Sequence, residues 1–216
     1  MTLRIETLVV GAFQENTYLL VDDGARRAVL IDPGAEPERL LAAVRESGAT
    51  LDAIWVTHPH VDHVGAIAGI KRELDVPIYM HPDGQALYVR ASEQGEAYGL
   101  RVEQPPPAER TLREGDTAVV GGYEFAVFDA PGHAPGHVVL HGNGVAFVGD
   151  CLFAGSIGRT DLPMSNAPDL VRSLERISQL PDETVVFPGH GPATTIGREK
   201  ATNPFLNGTA RILGGA

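Results

Sequence analysis

Residues 57–63 read Thr57-His58-Pro59-His60-Val61-Asp62-His63, which places three imidazoles and a carboxylate within six positions. Such a cluster constrains the fold more than any other feature, because buried polar and charged groups must be paired or bound. The apolar run at residues 51–56 has the character of a buried strand, and Gly65, Ile67 and Ile70 mark a helix close behind the cluster. In extended chain at a strand exit, His58 and His60 point the same way, since side chains alternate with period two. They can grip one ion together. Asp62 and His63 follow the turn and can address a second position nearby. Imidazole nitrogens and carboxylate oxygens suit zinc and related ions.

Three later segments share one pattern, an apolar strand running into a Gly-containing turn with a ligand-type residue. They are Ala130-Pro131-Gly132-His133, Phe147-Val148-Gly149-Asp150 and Phe187-Pro188-Gly189-His190. The count fits two divalent ions. His58, His60 and His133 form one set, Asp62, His63 and His190 the other, and Asp150 bridges them. Each position keeps an open coordination site, the mark of a catalytic centre. His137 is expected to support the ligands rather than join them, His81 to be structural, and His141 to be exposed.

The rest of the chain alternates strand and helix signals. Strands are expected at residues 3–10, 17–21, 28–31, 51–56, 77–80, 117–120, 123–129, 137–141, 145–148 and 185–187. Helices are expected at 36–47, 65–73, 82–91, 168–179 and 195–202. Residues 92–110, with Pro105-Pro106-Pro107 inside them, read as a long surface loop. The elements fall into two comparable halves, each ending in metal-type residues. This predicts an α/β fold, one domain over residues 1–216, with the site in the loops at the strand ends.

Composition removes several function classes. The balance of 17 basic and 28 acidic residues, net −11, argues against nucleic acid as a partner. One cysteine excludes an internal disulfide. No run approaches a membrane span, and the first residues lack the pattern of a signal peptide, so a cytoplasmic protein is expected. Cys151 is expected to be a small buried residue and not a nucleophile.

These ligands, in this order, resemble the metallo-β-lactamase superfamily over nearly the whole chain. The run Gly149-Asp150-Cys151-Leu152-Phe153-Ala154-Gly155-Ser156-Ile157-Gly158-Arg159-Thr160-Asp161 narrows the resemblance to the glyoxalase II (hydroxyacylglutathione hydrolase) branch. So does Pro188-Gly189-His190-Gly191-Pro192-Ala193-Thr194-Thr195, followed by Glu199 and Asn203-Pro204-Phe205. Full-length glyoxalase II enzymes carry a C-terminal helical extension that supplies much of the glutathione site. This chain ends soon after Phe205 and is similar to the shorter bacterial and archaeal type.

The resemblance implies a four-layer αββα sandwich, two mixed sheets flanked by helices. It also implies a small-molecule thioester substrate such as S-lactoylglutathione, attacked by a hydroxide bridging two metals, with zinc expected and iron or manganese accepted by the same donors. Asp62 would bind its metal and orient the nucleophile. Phe153, Ile157, Arg159 and Tyr98 are candidate substrate contacts, with Arg159 alternatively paired to Asp161. The competing readings are a mononuclear-iron persulfide dioxygenase, a hydrolase of another ester or lactone, and a non-catalytic binding protein. Retention of every ligand speaks against the last, and the Gly158-Arg159-Thr160-Asp161 run speaks against a β-lactam substrate.

Overall fold

The computed structural model describes residues 2–210. Strands β1 (Leu3–Val10), β2 (Glu15–Asp22) and β3 (Arg27–Ile31) lead into helix α1 (Pro37–Ser47) and strand β4 (Thr50–Trp55). The short helix α2 (Val61–Val64) and helix α3 (Ile67–Glu73) follow, then β5 (Ile78–Met80), α4 (Gln85–Tyr88), α5 (Ala91–Ala97) and β6 (Arg110–Thr111). The second half comprises β7 (Thr117–Val120), β8 (Tyr123–Asp129), β9 (Val138–Gly142), β10 (Val145–Gly149) and a hairpin of β11 (Leu152–Phe153) and β12 (Ser156–Ile157). Helix α6 (Ala167–Ile177), β13 (Val185–Pro188), β14 (Thr194–Thr195) and α7 (Ile196–Thr202) close the described chain.

Strands β1 to β6 form one six-stranded sheet in chain order, antiparallel at its β1–β2–β3 side and parallel from β3 onward. The second sheet runs β14-β13-β10-β9-β8-β7, with β10 and β13 parallel. Three apolar interfaces hold the layers together, and period-two alternation divides residues among them. On β2 and β3, Leu19, Val21, Ala28 and Leu30 face α1 and α3, while Tyr18, Leu20, Val29 and Ile31 face the second sheet. On β10, Phe147 joins the layer between the sheets, while Ala146 and Val148 pack with Leu170, Leu174 and Ile177 of α6. Strands covered on both faces read as continuous apolar runs. The architecture is the expected αββα sandwich.

Local chemistry sets the helix ends. Pro37 opens α1 and Gly48, at φ 69°, closes it. The Asp169 backbone N–H donates to Asn166 Oδ1 at the start of α6, and the Arg198 N–H donates to Thr195 Oγ1 at the start of α7.

Three expectations need correction. The helix expected at 82–91 is broken into a 3-10 turn at Pro82–Gly84, α4 and the start of α5. The loop expected at 92–110 begins inside α5 and ends on β6. Helix formers in 91–97 and packing of Gly95 on Val102 order a segment whose prolines lie further on. His141 is half-buried on β9, because its strand lies inside the sheet between β8 and β10.

Candidate metal centre

The seven expected ligands converge at one edge of the sandwich, where β4, α2 and the turns after β8, β10 and β13 meet. His58 leaves β4, and α2 carries Asp62 and His63. The His58, His60 and His133 donor atoms lie within 4.8 Å of one another, as do those of Asp62, His63 and His190. Asp150 stands between the sets, with Oδ2 3.5 Å from both His133 Nε2 and His190 Nε2, and Oδ1 3.4 Å from His63 Nε2. Asp62 Oδ2 lies 3.3 Å from His190 Nε2.

The donors' outer sides are held so that their inner nitrogens face inward. His133 Nδ1 donates to the Arg159 carbonyl at 2.9 Å, which leaves Nε2 unprotonated toward the centre. His63 Nδ1 donates to Asp32 Oδ2 at 3.0 Å, so that Nε2 is the nitrogen facing the centre. His58 Nδ1 is 3.1 Å from Thr57 Oγ1. His58 Nε2, His63 Nε2 and Asp150 Oδ1 are buried without a hydrogen-bond partner. Orphaned buried groups of this kind are costly unless something else satisfies them. Two cations between these donors would do so, and the donor set fits them.

Electrostatics separate the two sets. Burial pushes the His58 and His133 imidazoles below the usual histidine range, and His60 down to about 3, so all three are neutral. Burial also works against charge on His63 and His190. There the carboxylates of Asp150 and Asp62 outweigh it, raising His63 and taking His190 to about 9. Burial opposes ionisation of Asp150 as well, but the neighbouring histidines, His63 foremost, hold it well below the usual carboxylate range.

Sequence reasoning passed over a supporting shell. Asp32 is buried and accepts from the Thr57 backbone N–H at 2.6 Å and from Thr57 Oγ1 at 2.5 Å, besides His63. Its oxygens are thereby used, so it supports the ligands although it lies close to His58 and His63. Glu15 Oε2 accepts from Thr17 Oγ1 at 2.9 Å, and burial pushes its carboxyl well above the ordinary range. The Asn16 side chain donates to the carbonyls of Pro188 and Gly191, and Tyr18 Oη donates to Pro188. Strand β2 thus cradles the turn carrying His190. A Cβ on Gly189 would lie 2.2 Å from Asp150 Oδ1, so only glycine fits there.

His137 behaves as expected, stacked on His58 at 4.7 Å with Nε2 accepting the Asp150 backbone N–H at 3.1 Å. Cys151 is fully buried against His137 and the Ala130 carbonyl, and burial pushes its thiol up. His81 sits apart from the centre, 3.5 Å from Asp129.

A cleft of about 720 Å³ opens over the centre. The four candidate substrate contacts, Phe153, Ile157, Arg159 and Tyr98, all line it. Arg159 is tied to Asp161 by two bonds of 2.6 and 2.7 Å, and its backbone carbonyl, not its side chain, serves the ligands. Glu199, fully buried, accepts from the Gly155 N–H at 2.8 Å and from Asn203 Nδ2 at 2.9 Å, and Asn203 also donates to Ser156 O at 3.0 Å. Helix α7 and its end therefore fix the β11–β12 hairpin that walls the cleft. No helix among the described residues is long and apolar enough to cross a membrane.

A family model described as the metallo-beta-lactamase superfamily matches residues 10–190. The chain is 39% identical over 210 residues to hydroxyacylglutathione hydrolase GloC of Haemophilus influenzae, covering 95% of this chain and 99% of that one. Among solved structures it is similar to TTHA1623 in a di-iron-bound form, at 46% identity and TM-score 0.86 over 93% of this chain and 100% of that one. It is also similar to the B3 metallo-beta-lactamase BLEG-1, at 35% identity and TM-score 0.87 over 94% and 99%.

Proposed function

Because this chain belongs to the metallo-β-lactamase superfamily, we propose that it is a dinuclear metal-dependent hydrolase of thioesters, S-lactoylglutathione or a related acyl-thiol. The observation that carries the reading is Asp150 placed between two open donor sets, one oxygen 3.5 Å from a histidine of each. His58, His60 and His133 would hold one ion, Asp62, His63 and His190 the other. Zinc suits these donors, and iron and manganese are accepted by the same set; the di-iron form of TTHA1623 makes iron the second metal to assay. When bound, such ions would lower the pKa of a bound water to about 7 and polarise a carbonyl oxygen.

The chain's own groups orient that chemistry. Asp62, against His190 and facing the cleft, orients the attacking water. Phe153 and Ile157 wall the position of the scissile bond. Water adds at the carbonyl carbon and the carbon–sulfur bond breaks, giving a carboxylic acid and a thiol. A thiol of pKa about 8.5 leaves as thiolate without a strong general acid. Among the described residues, the one carboxylate lining the cleft besides Asp62 and Asp150 is Glu93, which is bonded to Arg90.

The test combines metal content with turnover of S-lactoylglutathione, glutathione persulfide, a lactone and a β-lactam. Two ions per chain and thioester hydrolysis are expected, with turnover abolished and metal depleted in Asp62→Ala. Near-normal turnover by that variant would remove Asp62 from the reaction. One iron per chain with oxygen consumption on the persulfide, or turnover confined to the lactone or β-lactam, would overturn the thioester reading.

A further inference from the structure

Resting on the thioester reading, we infer that the cleft selects an apolar acyl group and gains nothing from carboxylates on the thiol carrier. Among the described residues two arginines line the cleft, Arg90 and Arg159, and each is already paired. Arg90 Nε donates to Glu93 Oε2 at 2.7 Å, and Arg159 forks onto Asp161. A substrate carboxylate that took either arginine would strand Glu93 or Asp161, so the net gain in charge pairing would be close to nil. Arg101 lines an adjoining pocket of about 160 Å³ that shares Phe13, Val61 and Asp62 with the cleft, and is not among the residues lining the cleft itself.

Away from the metal centre, Gln94 and Ser156, most of the remaining wall is apolar. Leu87, Phe153, Ile157 and Leu162 line it. At the mouth Phe13 and Tyr98 stand edge to face, ring centroids 5.1 Å apart, with exposures of 37% and 54%. Large hydrophobic side chains left in water beside a deep cleft are what an apolar ligand would cover. A three-carbon hydroxyacyl group is too small to cover them, and a carrier with two carboxylates would bring charge against them with no unpaired arginine among the described residues lining the cleft.

Two measurements on the intact metal-loaded protein test this. The first is hydrolysis of N-acetylcysteamine thioesters with acetyl, butyryl, hexanoyl and octanoyl groups, beside S-lactoylglutathione. The value of kcat/KM should rise about threefold to fourfold per methylene through hexanoyl, as burial of one methylene predicts, and S-lactoylglutathione should fall below the hexanoyl ester. The second is calorimetric binding of non-hydrolysable S-alkyl thioethers on N-acetylcysteamine and on glutathione. Affinity should rise with chain length and differ by less than about threefold between carriers, with little dependence on salt. A flat chain-length series, or glutathione conjugates binding more than tenfold tighter with strong salt dependence, overturns the inference. No turnover of any thioester together with a rising thioether series overturns the proposed reaction and leaves the cleft's preference standing.

Discussion

Replacing Asp32 by asparagine isolates a single charge in the supporting shell. The position has φ 51°, a left-handed conformation that asparagine adopts readily, so the backbone should stay in place. The two carboxylate oxygens accept three hydrogen bonds, from the Thr57 N–H, Thr57 Oγ1 and His63 Nδ1. An amide supplies one oxygen and one NH2 group. With the NH2 toward His63, the ring must take the tautomer that carries its proton on Nε2, and that nitrogen can then no longer ligate. With the NH2 toward Thr57, it meets a buried backbone N–H. Loss of partners in such a shell typically weakens metal affinity about 10- to 100-fold, or roughly 1.4–2.7 kcal/mol. The loss should fall on the set containing Asp62, His63 and His190 and spare the other. Competitive titration with a chromophoric zinc chelator would resolve the two sites, with the thermal melting curve of the metal-free protein checking that the fold is kept. Two sites of wild-type affinity in the variant would refute the claim that Asp32 fixes the His63 tautomer.

Two further outcomes follow from the same geometry. Gly189→Ala should lose metal and turnover together, because its Cβ would meet Asp150 Oδ1 at 2.2 Å; Gly191→Ala, at φ 76° with open space around it, should cost about 1 kcal/mol of stability in a denaturant melt and keep both ions. In the metal-free protein at pH 7, His63 and His190 carry protons while His58, His60 and His133 are neutral. The second ion must therefore displace protons, and its affinity should weaken as pH falls below about 9, where His190 titrates. An indicator dye followed during metal titration should report proton release mainly with the second equivalent; equal release with both would contradict the assignment.

The ligands were legible because metal chemistry leaves a local signature: His58 to His63 lie in one run, and His133, Asp150 and His190 each end a strand in a Gly-containing turn. The αββα layering was legible through resemblance, and the apolar runs of β2, β3, β4 and β10 agree with strands covered on both faces. The supporting shell was not, because its members look like ordinary turn and strand residues. Asp32 reads as the punctuation of Asp32-Pro33-Gly34, and Glu15 as a polar residue in a turn; only contacts across the fold reveal their partners. The hairpin of β11 and β12 is too short for any periodicity, and its clamp by Glu199 and Asn203 joins residues 44 to 50 positions apart. Helix α5 escaped because its order comes from tertiary packing and not from an amphipathic stripe.

The cradle that β2 builds for the last histidine turn also sets the timing of assembly. Asn16 holds the carbonyls of Pro188 and Gly191, 172 and 175 positions away. During synthesis the first sheet and the His58–His63 cluster emerge early, and contacts of such sequence separation form late. A nascent chain thus presents two of the three residues of each donor set until residue 133 is free, and lacks a complete second set until residue 190 follows. Metal loading is in this sense a signal of completed translation: a chain truncated ahead of β13 would keep the cluster that first attracts an ion but lack the turn that completes its second site.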